Sequence, residues 1–460
     1  MTVLLYGVTS SGKTEVYIHL IADQLTQGHQ VLYLVPEIAL TTQLTDRLSR
    51  AFGDHLFVYH SRITDAARME IYRRCAASSH PACSAVSPQS ASGTLLVGAR
   101  SAVFLPVCNL GLIIVDEEHE SSYKQQDPAP RYHARSAAIM LAHFAGAKVL
   151  LGTATPSIES YHNALSGKYG LVTLSERFAG LQLPRITLID LKRQYHRREM
   201  YGHFSDPLVE RIRHELSIGK QVILFQNRRG YAPYVQCTTC GFVPKCEACD
   251  VSMTLHMRTH QLVCHHCGFA VPVPQRCPQC GGEYKIHGFG TERIEEEVEG
   301  LFPGARVLRM DQDTTQKKAA YEDIIRRFSA HECDILIGTQ MVSKGLHFDD
   351  VSLVAVLNAD SLLNQPDFRS YERAFQMLEQ VAGRAGRKGS QGEVVIQAMD
   401  PSHPVYNYVQ NHEYELMAAE QIKERELFHF PPFYRLITIT LKHRDEQRVD
   451  ATAAALQAQL

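Results

Sequence analysis

The sequence predicts an α/β fold of two lobes, each with a parallel sheet, and a metal-binding insertion in the second lobe. Three observations carry this prediction. Short apolar segments typical of buried strands alternate with helical segments in both halves of the chain. A glycine-rich phosphate-binding pattern follows the first strand segment, and four Cys-x-x-Cys pairs interrupt the second half.

The first strand is predicted at residues 3–6, and the sequence GVTSSGKT over residues 7–14 leads from it into a helix. This is the Walker A pattern in the strand–loop–helix context that it requires. Backbone N–H groups of such a loop bind phosphate together with the positive end of the helix. We expect Lys13 to bridge the β- and γ-phosphates of ATP and the Thr14 hydroxyl to ligate Mg²⁺. The predicted nucleotide-binding residues are Gly7, Thr9, Ser10, Ser11, Gly12, Lys13, Thr14 and Glu15.

Acidic residues follow a fully apolar strand predicted at residues 112–115. Beside a Walker A loop this is the Walker B arrangement, in which Asp116 holds Mg²⁺ through water and Glu117 polarises the attacking water. We interpret residues 76–93, which are rich in Ser, Ala and Pro, as a surface loop. The other first-lobe strands are predicted at 30–36, 57–59, 94–101 and 149–155, and helices at 37–50 and 68–75.

The second lobe has predicted strands at residues 221–225, 333–339 and 351–357. The sequence QVAGRAGR over residues 380–387 then places Arg384 and Arg387 three residues apart on one short predicted helix. Such arginines reach the γ-phosphate of a nucleotide held by the other lobe, as an arginine finger does. The predicted catalytic residues are Lys13, Asp116, Glu117, Gln380, Arg384 and Arg387.

The four cysteine pairs have the spacing of zinc knuckles, and four knuckles make two structural Cys₄ zinc sites. Three pairings of the knuckles are open. Apolar and polar residues alternate over residues 251–263, which favours a hairpin. The hairpin favours an inner site of Cys246, Cys249, Cys264 and Cys267 and an outer site of Cys237, Cys240, Cys277 and Cys280.

The composition excludes some classes of function. No apolar segment approaches the ~20 residues that a membrane-spanning helix needs, and no signal peptide is visible. The 460-residue chain has a formal net charge of −2, so a nucleic-acid partner must be bound by local basic patches. We expect the protein to be cytoplasmic, because an ATP-using chain without a secretion signal belongs in a reducing compartment.

Many segments together make the chain resemble the PriA family of replication-restart helicases, in superfamily 2 of the DNA helicases. Besides the eight cysteines, they are GVTSSGKTEVY (7–17), LVPEIALT (34–41), VGARSAVFLP (97–106), DEEHESSYKQ (116–125), RYHAR (131–135), GTATPS (152–157), NRRGYAP (227–233), IGTQMVSKGLHF (337–348) and QVAGRAGR (380–387).

The resemblance implies two RecA-like lobes, a zinc-binding insertion with the nested cysteine pairing, and 3′-to-5′ unwinding at abandoned forks. It also implies ATP, Mg²⁺ and two Zn²⁺ as cofactors. The implied partners are single-stranded and forked DNA, primosome proteins, single-stranded-DNA-binding protein and the replicative helicase loader. The domains expected on this basis are lobe 1 at 1–190, lobe 2 at 191–425 with the zinc insertion at 236–285 inside it, and the start of a truncated C-terminal domain at 426–460.

The chain departs from the family pattern at both ends. The family carries a DNA-binding region upstream of the Walker A loop and a longer C-terminal domain, so the chain is expected to be truncated at both ends. Aromatic and cationic residues follow Walker B, where the family has an aromatic-rich loop that couples DNA binding to hydrolysis. The predicted DNA-coupling residues are Tyr123, Arg131, Tyr132 and His133.

The sequence therefore predicts an ATP-dependent DNA translocase that moves on single-stranded DNA. Two other hypotheses stay open. One is a zinc-ribbon scaffold for primosome assembly with secondary ATPase activity, and the other is an RNA-directed ATPase of the same superfamily.

Overall fold

The computed structural model describes residues 1–459 with several gaps. The residues outside the described set are 37–41, 61–62, 78–92, 179–181, 228–233, 248–251, 257–260, 265–268, 288–290, 312–313, 316–317, 343–347, 349, 366, 387–390, 438, 440, 442, 444 and 460. The predicted loop at 76–93 therefore lies almost entirely outside the described residues.

The first lobe is a parallel sheet with helices on both faces. Its strands are β1 (Thr2–Gly7), β2 (Gln30–Leu34), β3 (Leu56–Tyr59), β4 (Thr94–Gly98), β5 (Leu110–Asp116), β6 (Lys148–Thr153) and β7 (Gly170–Leu174). Its helices are α1 (Lys13–Thr26), α2 (Thr42–Phe52), α3 (Asp65–Ala77), α4 (Ala134–Ala145) and α5 (Ile158–Leu165). The strand order is β3-β4-β2-β5-β6-β1-β7, and the neighbouring strands pair in parallel.

The central strand β2 shows why this sequence forms such a sheet. All five of its residues are buried. Leu32 and Leu34 belong to one apolar cluster, and Val31 and Tyr33 belong to another. A strand of a parallel sheet that is covered on both faces needs apolar side chains at every position, because its alternate residues enter two different cores.

The second lobe repeats this architecture. The remaining strands are β8 (Arg185–Asp190), β9 (Met200–Tyr201), β10 (Phe204–Ser205), β11 (Gln221–Phe225), β12 (Tyr234–Cys237), β13 (Thr254–His256), β14 (Gln261–Val263), β15 (Ala270–Pro272), β16 (Tyr284–His287), β17 (Val307–Met310), β18 (Ile335–Gly338), β19 (Val351–Val356) and β20 (Glu393–Ala398). The second sheet has the order β17-β18-β11-β19-β20-β8, again with parallel pairs. The prediction of two RecA-like parallel-sheet lobes is confirmed.

Nine helices among the described residues complete the chain. They are α6 (Leu191–Arg197), α7 (Asp206–Ser217), α8 (Thr291–Leu301), α9 (Lys318–Ser329), α10 (Asp360–Leu363), α11 (Ser370–Ala382), α12 (Pro404–Gln410), α13 (Tyr414–Leu427) and α14 (Glu446–Gln459). Helix α13 packs against α5 of the first lobe as well as α11 and α12 of the second. Helix α14, in the predicted C-terminal domain, is exposed along most of its length.

The predicted lobe boundary at residue 190 is wrong by one strand. Strand β8 pairs with β20 in parallel, with Ile186 opposite Val394, and so forms the edge of the second sheet. The first sheet ends at β7. The sequence shows that residues 185–190 have strand character, but it does not show which of two parallel sheets a strand joins.

The cysteine-rich insertion lies between β11 and α8 and has small sheets of its own. Strands β12 and β16 form a two-stranded sheet, and β13, β14 and β15 form a three-stranded one. The predicted hairpin is confirmed, because β13 and β14 pair in antiparallel fashion with Leu255 opposite Leu262.

Candidate nucleotide and zinc sites

A cavity of about 610 Å³ lies in the cleft between the lobes. The first lobe lines it with the Walker A loop and with Asp116 and Glu117 at the end of β5. The second lobe lines it with Gln380 and Arg384. Ligand pockets of proteins have volumes of ≈ 300–1,000 Å³, so a nucleotide fits a cavity of this size. All eight predicted nucleotide-binding residues are in the described part of the chain, and all but Gly7 are among the residues that line the cavity.

The Walker A loop folds as its glycines require. Gly12 precedes α1 at the N-cap position with a φ of 88°, a left-handed conformation that favours glycine. Lys13 Nζ donates hydrogen bonds to Gly7 O at 2.6 Å and Val8 O at 3.3 Å. Burial lowers the pKa of Lys13, and the charges of Glu117 and Asp116 oppose that shift. The ammonium group thus lies at the positive end of α1, where an anion is favoured.

Two tyrosines that sequence reasoning missed hold the Walker B aspartate. Tyr17 donates a hydrogen bond to Asp116 Oδ1 at 3.0 Å, and Tyr33 donates one to Asp116 Oδ2 at 3.2 Å. Burial raises the pKa of Asp116 to about 6, with a further contribution from Glu117, while Lys13 opposes the shift. The hydroxyl groups of two tyrosines in the core beneath the site therefore orient both carboxylate oxygens. Tyr17 lies on α1 and Tyr33 on β2, and both belong to one apolar cluster. No local pattern in the sequence connects these two residues with Asp116.

Glu117 and Arg384 lie on opposite sides of the cavity. Glu117 has a φ of 45°, which is uncommon for a residue other than glycine and typical of functional sites. Burial lowers the pKa of Arg384 to about 10, and the charge of Glu117 opposes that shift. A partly desolvated guanidinium group from the second lobe thus faces the carboxylate that is predicted to polarise water.

The predicted short helix over residues 380–387 is wrong in its extent. Helix α11 ends at Ala382, and Arg384 lies in the turn that follows. Gly386 has a φ of 64°, a conformation that a helix cannot contain. Arg387 lies outside the described residues. The turn, rather than a helix, brings Arg384 to the cavity.

Gln380 connects the second lobe to the residues after Walker B. Its Nε2 lies 2.7 Å from His119 Nε2 and donates to Glu120 Oε1 at 3.2 Å. The other ring nitrogen of His119, Nδ1, lies 2.7 Å from Thr153 Oγ1. The imidazole ring of His119 therefore joins the end of β6 to helix α11 of the second lobe.

Glu118 forms a second connection between these segments. Its side chain is fully buried, accepts hydrogen bonds from Ser157 N at 2.7 Å and Ser160 Oγ at 2.8 Å, and forms an ion pair with Arg135. The adjacent Ile158 N donates to Glu372 Oε1 of the second lobe at 2.9 Å. The segment after β6 is thus bonded to Walker B on one side and to α11 on the other.

The four predicted DNA-coupling residues lie in different environments in the structure. Tyr123 is fully buried, and its hydroxyl donates to Asp116 O at 2.7 Å. The ring of Tyr123 fills the core beneath β5 and is not exposed for contact with a base. Tyr132 is half-buried and its ring centroid lies 4.7 Å from that of Phe104, which is 60% exposed.

The two neighbours of Tyr132 differ in environment. Arg131 is exposed beside Asp127, at 3.5 Å. His133 precedes α4, and burial lowers its pKa to about 3, with a smaller contribution from the charge of Arg135. His133 is therefore neutral at physiological pH, so the exposed cation of this segment is Arg131.

The outer cysteine set comes together as a metal site. The four sulfurs of Cys237, Cys240, Cys277 and Cys280 lie within 4.8 Å of one another. Cys237 Sγ is 3.5 Å from Cys280 Sγ, and Cys240 Sγ is 3.6 Å from Cys277 Sγ. Sulfur atoms at the corners of a zinc tetrahedron with ~2.3 Å bonds are about 3.8 Å apart. The donor set and its spacing therefore fit Zn²⁺.

The inner cysteine set is described only in part. Cys246 and Cys264 are buried in one small apolar cluster with Met253, Leu255 and Leu262. Cys249 and Cys267 lie outside the described residues. The hairpin β13–β14 places the two described inner cysteines in one core, as the nested pairing requires.

Comparison with known proteins places these sites in a family. A profile described as "DEAD/DEAH box helicase" matches residues 1–164, one described as "PriA DNA helicase Cys-rich region (CRR) domain" matches 246–272, and one described as "Helicase conserved C-terminal domain" matches 287–389. The Replication restart protein PriA of Rickettsia felis is 40% identical over 98% of this chain and 68% of its own length. The chain belongs to the PriA family.

Longer members of the family match equally well. The Replication restart protein PriA of Bacillus subtilis is 43% identical over 98% of this chain but only 54% of its own length. That of Haemophilus influenzae is 44% identical over 96% of this chain and 58% of its own length. The chain thus spans little more than half the length of these relatives.

Solved structures agree on the fold alone. RecG bound to a three-way DNA junction superposes with a TM-score of 0.52 at 15% identity, covering 99% of this chain and 47% of RecG. The helicase MrfA bound to DNA superposes with a TM-score of 0.52 at 14% identity, covering 95% of this chain and 48% of MrfA.

Within the described residues, none of the helices has the length and apolar character needed to span a bilayer.

Proposed function

We propose that this chain is the motor of an ATP-dependent 3′-to-5′ DNA helicase of replication restart. The observation that carries the proposal is the cavity between the lobes, which unites Walker A and Walker B residues with Arg384 of the second lobe. Membership of the PriA family, whose relatives are named replication restart proteins, supports the biological setting. A cytoplasmic location is part of the same proposal.

Different residues of the cleft bind the phosphates, activate water and stabilise the transition state of ATP hydrolysis. Lys13 and the N–H groups at the start of α1 bind the β- and γ-phosphates, and Asp116 with Thr14 would hold Mg²⁺. Mg²⁺, when bound, neutralises charge on the phosphates. Glu117 orients and polarises the attacking water. Arg384, together with Arg387, stabilises the charge of the transition state from across the cleft.

Hydrolysis is coupled to motion through the contacts between the lobes. The His119–Gln380 contact and the bond from Ile158 N to Glu372 both join the first lobe to helix α11 of the second. Loss of the γ-phosphate removes an anion that attracts Arg384, so the two lobes separate more easily. Repeated closure and opening moves single-stranded DNA, which lies across both lobes and is bound mainly through its phosphates.

The cysteine-rich insertion binds two zinc ions and acts where the duplex is opened. The outer site is formed by the four cysteines whose sulfurs lie within 4.8 Å of one another, and the inner site by the other four. The insertion has a separate apolar cluster, so zinc supports its folding rather than that of the lobes. We expect it to contact forked DNA or to bind primosome proteins, single-stranded-DNA-binding protein and the helicase loader.

A strand-displacement assay tests this function and its direction. We expect the chain to unwind a short duplex with a 3′ single-stranded tail when ATP and Mg²⁺ are present, and to leave a duplex with a 5′ tail intact. Lys13→Ala is the control for motor-driven unwinding. Unwinding of the 5′-tailed substrate alone would contradict the proposed polarity, and equal unwinding by Lys13→Ala would contradict the motor role.

A further inference from the structure

The segment that connects β7 to β8 lies against the Walker A loop. Val8 N donates to Leu174 O at 3.1 Å, and Phe178 N donates to Ser10 O at 2.8 Å. Arg177 Nε donates to Thr9 O at 3.1 Å. Three consecutive residues of the phosphate-binding loop are therefore held by main-chain and side-chain bonds from outside the Walker motifs.

Arg177 is a buried cation in this segment. Its side chain belongs to a residue that is only 7% exposed, and it also borders the nucleotide cavity. Nη1 donates to Gln182 O at 2.6 Å, whereas Nη2 is buried and has no hydrogen-bond partner among the described residues. The partners of the guanidinium group in the described structure are thus neutral carbonyl oxygens.

Within the described ranges of the chain, no carboxylate forms an ion pair with Arg177. Glu379 of the second lobe lines the same cavity, but its carboxylate is bonded to His412 Nδ1 at 3.0 Å. Burial would lower the pKa of His412, yet the Glu379 carboxylate raises it, while the charge of Arg177 opposes the increase. His412 and Glu379 therefore satisfy each other, and burial lowers the pKa of Arg177.

We propose that Arg177 is a positioning residue and fixed cation of the nucleotide site, which holds the Walker A loop through Thr9 and attracts the polyphosphate. The inference rests on the nucleotide site proposed above. A buried charge without a counterion is costly. Polyphosphate in the adjacent cavity offsets that cost, because charges interact strongly where water is excluded.

The position of Thr9 adds a mechanical role to the electrostatic one. A Cβ atom on Gly383 of the second lobe would lie 2.9 Å from Thr9 Cγ2, so the two lobes meet closely at this residue. Arg177 Nε donates to the carbonyl oxygen of the same threonine. The connecting segment thus supports Thr9, the residue of the phosphate-binding loop that Gly383 of the second lobe approaches closely.

Nucleotide binding by the whole chain tests this inference. We would measure dissociation constants of ATP, ADP and AMP at fixed salt and Mg²⁺, for the wild type, Arg177→Gln, Arg177→Lys and the control Arg185→Gln. Arg185 is an exposed arginine a few residues further along. We expect Arg177→Gln to weaken ATP binding by about tenfold, ADP less and AMP least, because the effect grows with phosphate charge.

The variants separate the outcomes. Arg177→Lys keeps the charge and should retain most of the ATP affinity, and Arg185→Gln should match the wild type. An equal loss for all three nucleotides, or no loss, would overturn the inference. If thermal denaturation shows that Arg177→Gln does not fold, the dissociation constants of Arg177→Lys for ATP and AMP decide. Weakened binding of both nucleotides by the same factor would also overturn the inference. Failure of the wild type to bind ATP would instead contradict the proposed function.

Discussion

At the residue scale, the nucleotide site depends on side chains that the motifs do not include. Asp116 was predicted from its place at the end of an apolar strand, but the hydroxyl groups of Tyr17 and Tyr33 orient its two oxygens. Buried polar groups need partners. A buried Walker B carboxylate therefore requires donors from the core, and the motif alone does not say which residues supply them.

The Walker A lysine gives the first prediction. We expect Lys13→Ala to lose ATP hydrolysis while binding of single-stranded DNA stays nearly unchanged, because Nζ lies in the loop that binds phosphate. Steady-state turnover and a DNA-binding isotherm measure the two properties. Lys168→Ala, at an exposed turn, is the control. Turnover above about a tenth of the wild-type value would contradict the electrostatic role of Lys13.

The second prediction concerns Tyr132, whose half-buried ring packs against Phe104 near Walker B. We expect Tyr132→Ala to keep ATP binding but to lose much of the stimulation of hydrolysis by single-stranded DNA, since aromatic rings stack on unpaired bases for ~1–3 kcal/mol each. Turnover against DNA concentration at fixed salt measures the effect. Tyr201→Ala removes an exposed tyrosine of the second lobe and serves as the control. Unchanged maximal stimulation would mean that Tyr132 is a packing residue.

Tyr123 shows that the burial of a single aromatic residue cannot be predicted from its neighbours in the sequence. An aromatic residue beside cations and prolines suggested a surface loop, but the ring of Tyr123 is fully buried and donates to a main-chain carbonyl. Tyrosine has a large apolar ring and a polar hydroxyl group, so it suits both a core and a surface. Only the path of the chain after β5 decides between them.

At the element scale, the zinc ribbon was predictable and one helix boundary was not. The cysteine spacing predicted the knuckles and the alternation over residues 251–263 predicted the hairpin, because both are local patterns. The hairpin in turn favoured the outer cysteine set. Helix α11 ends at Ala382 with Gly383 as its C-cap (φ −61°), and the turn that follows contains Gly386 with a φ of 64°. Helix ends depend on such turns, and a glycine in the sequence does not reveal its φ angle.

The third prediction concerns the metal content of the ribbon. We expect two zinc ions per chain and a loss of one in Cys237→Ser, since that variant removes a ligand of the outer site and leaves the inner four cysteines intact. Elemental analysis of purified protein measures the ratio. Cys108→Ser, which removes an exposed thiol outside the ribbon, should keep both ions. One zinc ion in the wild type would contradict the two-site assignment.

At the scale of the whole molecule, a buried charge network joins the lobes. Arg425 of α13 is 1% exposed and contacts Glu372 of α11 at 2.6 Å and Glu159 of α5 at 3.5 Å. Arg369 contacts the same Glu159 at 2.6 Å. The network joins α5 of the first lobe, which begins directly after the Thr153–Ser157 segment, to helices α11 and α13 of the second lobe.

The fourth prediction follows from Glu159. Burial would raise its pKa, but the charges of Arg369, Arg135 and Arg425 lower it overall. The ionised Glu159 carboxylate stabilises the folded state fully at pH values above its unfolded pKa of 4.5. This contribution is lost as the pH falls through its folded-state pKa of about 2. We expect Glu159→Gln to lower the free energy of unfolding at pH 7 by roughly 1–3 kcal/mol.

Denaturant unfolding at several pH values measures the effect. The difference between the wild type and Glu159→Gln should shrink as the pH falls from about 4.5, the unfolded pKa of the carboxyl group, toward about 2, its pKa in the folded protein. Glu426→Gln, at an exposed position near the end of α13, is the matched control. A pH-independent difference would mean that Glu159 acts by packing rather than by its charge.

The overall architecture was predictable because both lobes repeat one local pattern. Apolar strands such as β2 are buried on both faces, and that burial appears in the sequence as an uninterrupted apolar segment. The assignment of β8 to the second sheet was not predictable, because pairing with β20 joins residues more than 200 positions apart. Long-range pairing depends on the packing of the whole chain.

The central claim is that the cleft couples ATP hydrolysis to single-stranded DNA. The most direct test is steady-state ATP turnover by the whole chain with no polynucleotide, with single-stranded DNA and with RNA of the same length and sequence, with Arg384→Ala measured in parallel. The account predicts strong stimulation by DNA, much weaker stimulation by RNA, and loss of turnover in Arg384→Ala. Equal stimulation by RNA, or turnover that DNA does not change, would contradict it.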